Sequence, residues 1–127
     1  MDNSERGMNR WYKHGKALLD EIAGSGPQSG ETYIWFAGQH GFIINLAGII
    51  FYIDVILNDL VDGEGKSRRV YPAPFDPGLR QRVDYVFCTH NHNDHLNLET
   101  LLPLPGQIPA RALWFPRPGS ACSLRQE

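Results

Sequence analysis

The chain has 127 residues, of which 42% are hydrophobic and 20% charged, values that are ordinary for one soluble globular domain. A formal net charge of −2 provides no basic footprint for nucleic acid or an anionic membrane, and no apolar run approaches the roughly 20 residues of a membrane-spanning helix. Because the polar N-terminus lacks the apolar stretch of a secretory signal, and two cysteines are too few for a disulfide framework, we expect a cytoplasmic protein with no membrane or nucleic-acid partner.

The first predicted element is an amphipathic helix over residues 8–23. Its apolar side chains recur at helical spacing with charged residues between them, at Met8, Trp11, Leu18 and Ile22. The run "GSGPQSG" follows at once and is a helix stop signal. We therefore predict an N-terminal helix and joint over residues 1–30, and a main domain over residues 31–127.

Three strands are predicted next, at residues 32–37, 41–47 and 49–57, since these runs are rich in β-branched and aromatic residues. The second and third runs are almost continuously apolar. Such strands are typical of a sheet that is covered on both faces. We expect the helix on one face and a further apolar layer on the other.

Residues 58–82 are rich in Asp, Gly, Arg and Pro, and this composition predicts a long irregular excursion. A fourth strand is predicted at residues 83–89, followed by a short helix in "NLETLLPL" with Asn97 as its N-cap. A fifth strand is predicted at residues 110–116. The final residues show no pattern that predicts an element.

The candidate functional residues lie in "THNHNDHLN", directly after the fourth predicted strand. Three imidazoles and a carboxylate in so short a stretch suit a borderline divalent cation such as Zn²⁺, Mn²⁺ or Fe²⁺. The alternative is a polar surface loop without a ligand. The spacing favours the metal site, with His90, His92, Asp94 and His95 as candidate ligands.

The spacing also bears on how many ions are bound. His90 and His92 point to the same side of an extended segment, whereas Asp94 and His95 are adjacent and diverge unless the chain turns. One pair can therefore serve one ion and the other pair a second ion about 3.5–4 Å away.

At this point the residues resemble a known family. "THNHNDH" matches the H-x-H-x-D-H signature of the metallo-β-lactamase superfamily, whose fold is an αββα sandwich with metals at one edge. "YIWFAGQHGFIINLAGIIFYIDVIL" and "PFDPGLRQRVDYVFCTHNHNDHLN" are similar to the ascorbate-6-phosphate lactonase branch. The resemblance implies an α/β fold, the N-terminal half of a metallo-β-lactamase αββα sandwich preceded by an amphipathic helix.

The resemblance also implies roles for individual residues. His90 and His92 would ligate a first metal and Asp94 and His95 a second, with Asp94 in addition handling a proton. Asp54 ends the third predicted strand, and the family places there a buried aspartate that accepts a ring N–H from a ligating histidine. The alternative for Asp54 is a strand-end residue satisfied by a nearby turn.

Two further residues, Gln39 and His40, lie between the first two predicted strands. Some related hydrolases carry a histidine at the place of Gln39, near the site. The alternative, a hairpin turn with no part in the chemistry, has at least equal support. Arginines at positions 68, 69, 80 and 82 are candidate contacts for an anionic substrate, although a solvated loop face explains them better.

The second half of the sandwich is expected to be absent, because no histidine or aspartate follows His95. Members of the superfamily complete the site with later residues of these types. Four of seven expected ligands would leave each metal with two protein contacts and a weakened affinity. An apolar sheet face would also be left uncovered, so a chain that is poorly folded, rearranged or self-associated as a homo-oligomer is expected.

The leading functional hypothesis is a metal-dependent hydrolase that opens a sugar-phosphate lactone by means of a metal-bound hydroxide. Two divalent ions, Zn or Mn, and a small anionic substrate are implied. A phosphodiesterase or nuclease of the same fold is the first alternative, since the same ligands serve phosphoryl chemistry. The second alternative is an inactive fragment with at most weak metal binding.

Overall fold

A computed structural model describes residues 11–69, 72–90, 92, 94–101, 113–117 and 120–123. In chain order, the elements of these ranges are α1 (Gly15–Gly24), β1 (Thr32–Phe36), β2 (Phe42–Leu46), β3 (Ile49–Ile53), β4 (Tyr85–Phe87), α2 (Leu98–Leu101), β5 (Leu113–Arg117) and β6 (Ser120–Ser123). The strands form one sheet in the order β1-β2-β3-β4-β5-β6.

The sheet is mixed, which confirms the predicted α/β class. Strands β1, β2 and β3 form an antiparallel meander, β4 and β5 add to it in parallel, and β6 returns antiparallel to β5. This arrangement, with helix α1 against one face, is consistent with part of a metallo-β-lactamase-like fold. Within the described residues, no helix is long and apolar enough to cross a membrane.

Helix α1 is shorter than predicted, since it begins at Gly15 rather than near Met8, which lies outside the described residues. His14 precedes it in an extended conformation, and the Gly15 N–H donates to the carbonyl of Pro74 at 2.7 Å. Trp11 is therefore not a helical residue. Its indole N–H donates to the carbonyl of Pro72 at 3.0 Å. The sequence assigned this apolar residue to the helix because of its spacing, whereas the structure shows that it makes a tertiary contact.

Strand β3 also ends earlier than predicted, at Ile53 instead of residue 57. Asp54 has φ of 52°, in the left-handed region, and a strand cannot continue through that conformation. Strand β4 is limited to Tyr85–Phe87, within the predicted range. Strand β6 was not predicted at all, because its sequence "SACS" carries none of the alternation that indicates a strand.

The hydrophobic core lies between α1 and one face of the sheet. Leu18, Leu19 and Ile22 of the helix belong to the same buried cluster as Ile43, Ile50, Tyr52 and Val86 of the sheet. The helix is therefore amphipathic as predicted. Burial raises the pKa of Tyr52 well above its usual value, and its hydroxyl donates to Gln81 Oε1 at 2.8 Å.

Along β1 to β4, the opposite face of the sheet is exposed, contrary to the expectation from the apolar runs that both faces would be covered. The strand registers place on this face a set of large apolar side chains that are between 41% and 61% exposed: Ile34, Phe36, Phe42, Leu46, Ile49 and Tyr85. We call these six residues the open face. One uncovered apolar face was also predicted from the sequence, and the open face has that exposure.

Residues 58–69 and 72–82, the described part of the predicted irregular excursion, are irregular, with an isolated bridge between Val61 and Ser67 as their only described β pairing. The short helix α2 lies where it was predicted. Its N-cap is confirmed, because Asn97 Oδ1 accepts the N–H of Glu99 at 3.0 Å. Thr100 ties α2 to the segment that follows β3, since its hydroxyl accepts the N–H of Leu57 at 2.8 Å.

Candidate metal centre

The candidate site forms where two parallel strands end side by side. Ile53 of β3 is paired with Phe87 of β4, so the residues that follow, Asp54 and Cys88, leave the sheet at the same edge. Carboxyl ends of adjacent parallel strands are a recurrent position for ligand sites in α/β proteins. The turn between β1 and β2 reaches the same edge, since Phe42 is paired with Ile53.

Asp54 is a buried residue whose hydrogen bonds hold the neighbouring groups at this edge in place. Its side chain is only 6% exposed and accepts three hydrogen bonds, from the Thr89 N–H at 2.7 Å, the Thr89 hydroxyl at 2.6 Å and the ring of His95 at 2.8 Å. The Asp54 N–H in turn donates to the carbonyl of Phe87 at 3.0 Å. The backbone and the side chain of Asp54 are therefore both hydrogen-bonded to β4 or to Thr89, the residue that precedes the histidines.

These hydrogen bonds select the tautomers of two histidines. A carboxylate only accepts, so His95 donates through Nδ1–H and keeps the lone pair on Nε2. The Thr89 hydroxyl has one proton, which it donates to Asp54, so its oxygen accepts Nδ1–H from His90 at 3.0 Å. Both rings therefore keep Nε2 free as a ligand atom.

The imidazoles cluster closely around this network. The ring of His90 lies with its centroid 3.9 Å from that of His95 and 4.6 Å from that of His92. Asp94 Oδ2 is 3.7 Å from Nε2 of His95. The side chains of Asp94 and His95, which are adjacent in sequence, would diverge in an extended chain. A turn closed by a hydrogen bond from the N–H of His95 to the carbonyl of His92, at 2.9 Å, brings them together.

Among the described residues, the group that offers three ligand atoms within 4.8 Å of one another is His40, Asp94 and His95. His90 and His92 are near neighbours of this group, with His92 exposed and His90 half-buried. The structure thus brings all four candidate ligands to one edge of the sheet. Their assignment as ligands of two separate ions stays a prediction.

The donor set fits a borderline divalent cation. A histidine that donates one ring N–H to a carboxylate and presents its other nitrogen outward is the usual arrangement of a metal-ligating histidine. Asp54 and His95 have this arrangement, and Asp54 therefore occupies the position expected for a residue that orients a ligand. Imidazole nitrogens with one carboxylate suit Zn, Mn or Fe better than Ca or Mg, which prefer oxygen ligands.

Cys88 is close to this network but packs into the hydrophobic core. Burial, together with the charge of Asp54, raises the pKa of its thiol to about 12. Among the described residues, the group of candidate ligand atoms contains His40, Asp94 and His95 and does not include Cys88. The candidate metal centre is therefore composed of histidine and carboxylate groups.

The arginines divide into structural and exposed residues. Arg69 is buried, and its guanidinium donates to the carbonyl of Ile56 at 2.7 Å, so it is not the solvated residue that the sequence suggested. Arg82 donates to the carbonyls of Ala23 and Gly48, and Gly48 lies at the end of β2 away from the site. Arg68 and Arg80 are exposed.

One residue of the site was not singled out in the sequence. Thr89 links Asp54 to His90 through its hydroxyl and its N–H. Its position immediately before the first histidine of the motif is the only signal that could have indicated this role. Gln39 has φ of 53° and shapes the turn that carries His40.

Comparisons with known proteins give matches among solved structures. No protein-family model matches the sequence, and no curated protein matches it. Among solved structures, the chain is similar to CmlA, a diiron beta-hydroxylase from Streptomyces venezuelae, and to a mutant of the CmlA beta-hydroxylase. Both are 26% identical with a TM-score of 0.47, over 74% and 73% of this chain, respectively. The chain spans 17% of the length of each of these proteins.

Proposed function

We propose that this chain carries the metal-binding edge of a hydrolase of the metallo-β-lactamase type, with lactonase-like activity on a sugar-phosphate lactone. The observation that supports the proposal is the connected set of Asp54, Thr89, His90 and His95, in which both histidines keep Nε2 free beside the carboxylate of Asp94. A solvated polar loop has no need for a buried carboxylate that orients its rings.

A divalent cation, when bound, supplies a Lewis acid that polarises a carbonyl oxygen and acidifies water. His90 and His92 are proposed to hold one such ion and Asp94 and His95 a second, with Zn or Mn as the proposed ions. Asp54 keeps His95 in the tautomer that can act as a ligand and holds its ring in place through the 2.8 Å hydrogen bond.

Asp94 is the proposed proton carrier. Its side chain is 41% exposed, so it reaches both the histidine cluster and a substrate that arrives from solvent. As water adds to the lactone carbonyl, the carboxylate of Asp94 accepts its proton. The ring C–O bond then breaks, and Asp94 returns the proton to the departing ring oxygen, which yields the hydroxy acid.

The proposal is tested by lactone hydrolysis after loading with Zn²⁺ or Mn²⁺. We expect opening of a sugar-phosphate lactone that is lost in chelator and falls by more than about 100-fold in His92→Ala. His14→Ala, in an exposed residue next to α1, is the matched control and should retain full activity.

A parallel assay with bis-(p-nitrophenyl) phosphate separates the substrate classes. Faster turnover of the phosphodiester than of the lactone would replace the lactonase proposal with a phosphodiesterase. Full activity in chelator would reject the metal-dependent mechanism, and metal binding without turnover of either substrate would identify the chain as a metal-binding fragment.

A further inference from the structure

The turn between β1 and β2 is fixed against the metal centre by close backbone packing. The N–H of Gly41 donates to the carbonyl of Gly38 at 2.8 Å, and the N–H of Ala37 donates to the carbonyl of Gly41 at 2.9 Å. A Cβ on Gly41 would lie 3.0 Å from Cα of Val55 and 3.1 Å from the carbonyl oxygen of Asp54. The turn therefore rests directly on the segment that contains Asp54.

This packing places the side chain of His40 over the site. Its ring stacks on that of His95, with centroids 4.7 Å apart and an interplanar angle of 9°. Its Nδ1 lies 3.8 Å from Oδ2 of Asp94. His40 comes from a different strand connection than the motif that supplies Asp94 and His95, so its presence here depends on the tertiary fold.

The distances within this group suit a shared ion better than hydrogen bonds. Oδ2 of Asp94 is 3.8 Å from His40 Nδ1 and 3.7 Å from His95 Nε2, both too long for hydrogen bonds. Two ligand atoms on one tetrahedral ion, with bonds of about 2.0–2.2 Å, are separated by about 3.4 Å. For these two pairs, a contraction of a few tenths of an ångström, through the partly exposed side chains of His40 and Asp94, would meet that geometry.

We propose that His40 is a ligand, and that His40, Asp94 and His95 together bind one divalent cation. This inference rests on the proposed metal-dependent function and gives the turn residue a defined part in it. Three protein ligands leave a fourth position of a tetrahedral ion open, as catalytic zinc sites do. The turn thereby supplies a third ligand to an ion for which the sequence motif alone provides two.

The experiment titrates the full chain with Co²⁺ and follows the visible absorption, whose intensity distinguishes four-coordinate from six-coordinate cobalt. Competition with Zn²⁺ then provides the affinity. We expect His40→Ala to weaken binding at least about 10-fold and to reduce the four-coordinate absorption. Added free imidazole should restore the absorption in this variant, because the vacated position accepts it.

Two controls make the outcomes separable. His14→Ala removes an exposed histidine next to α1 and should leave binding unchanged. His40 is 59% exposed, so His40→Ala is expected to keep the thermal melt of the parent chain. Unchanged affinity and absorption in His40→Ala, together with loss of binding in His95→Ala, would reject the role of His40 and leave the proposed function standing. Absence of cobalt and zinc binding in the parent chain would reject both.

Discussion

At the scale of single residues, Asp54 determines the arrangement of the site. It is buried, it has a left-handed backbone, and it accepts hydrogen bonds from Thr89 and from His95. A left-handed φ is unfavourable for most residues, but Asp and Asn tolerate it better than others. The residue type is therefore suited both to the bend that ends β3 and to the orientation of the His95 ring.

Asp54→Asn separates these two roles. Asparagine tolerates the same backbone conformation, so the fold should persist, but its amide lacks the charge that binds the ring N–H of His95 strongly. We expect the affinity for Zn²⁺ to fall by roughly 10–100-fold, measured by competition with a chromogenic chelator. Asp76→Asn, in an exposed loop, is the control and should bind as the parent does. Unchanged affinity in Asp54→Asn would mean that Asp54 only shapes the backbone.

At the scale of elements, the two hairpins of the meander differ in function. The turn between β1 and β2 carries His40 to the site, whereas the turn between β2 and β3 lies at the opposite edge. Leu46 is paired with Ile49, so Ala47 and Gly48 form a two-residue loop, with φ of 52° and 87°. Two left-handed residues are the mark of a type I′ turn, in which Asn-Gly is the preferred sequence.

Ala47→Asn should therefore stabilise the chain. Asparagine adopts the left-handed conformation at less energetic cost than alanine, and we expect the free energy of unfolding to rise by roughly 0.5–1 kcal/mol. A shift of the urea midpoint without a change in its slope would show this. Ala23→Asn, an exposed substitution within α1, is the opposite control and should destabilise, since asparagine is a poorer helix former. A lower midpoint in Ala47→Asn would contradict the turn assignment.

At the scale of the whole molecule, the open face dominates the energetics. Its six large apolar side chains are about half exposed, and side chains of this size present roughly 150–250 Å² each. Several hundred Å² of apolar surface thus stays in water, and at about 25 cal/mol per Å² its burial would contribute on the order of 10 kcal/mol. That is comparable with the whole stability of a typical domain.

The 127-residue chain is consequently expected to self-associate through the open face. The double variant Ile34→Lys with Leu46→Lys places two charges on this face and should shift the sedimentation profile towards monomer. Val61→Lys is the matched control, because Val61 is 60% exposed but lies in the irregular excursion. If the parent chain sediments as a monodisperse monomer at micromolar concentration, the open face does not drive association.

The sequence by itself determined the element types along the meander and the cluster of candidate ligands. Local signals carry this information: apolar runs of β-branched residues predict the strands, and the spacing of His90, His92, Asp94 and His95 predicts a cation site. The cap of α2 at Asn97 was equally local and was confirmed. These features depend on residues that are neighbours in the chain.

Only the tertiary structure decided which distant residues meet. Asp54 reaches His95 because β3 and β4 are parallel neighbours, and His40 reaches Asp94 because the β1–β2 turn packs on the segment after β3. The start of α1 was likewise set by a contact with Pro74 and not by helical spacing. Strand pairing and backbone packing bring together residues that are far apart in the chain. The local periodicity of the sequence does not indicate those contacts, because it reflects only residues that are near neighbours in the chain.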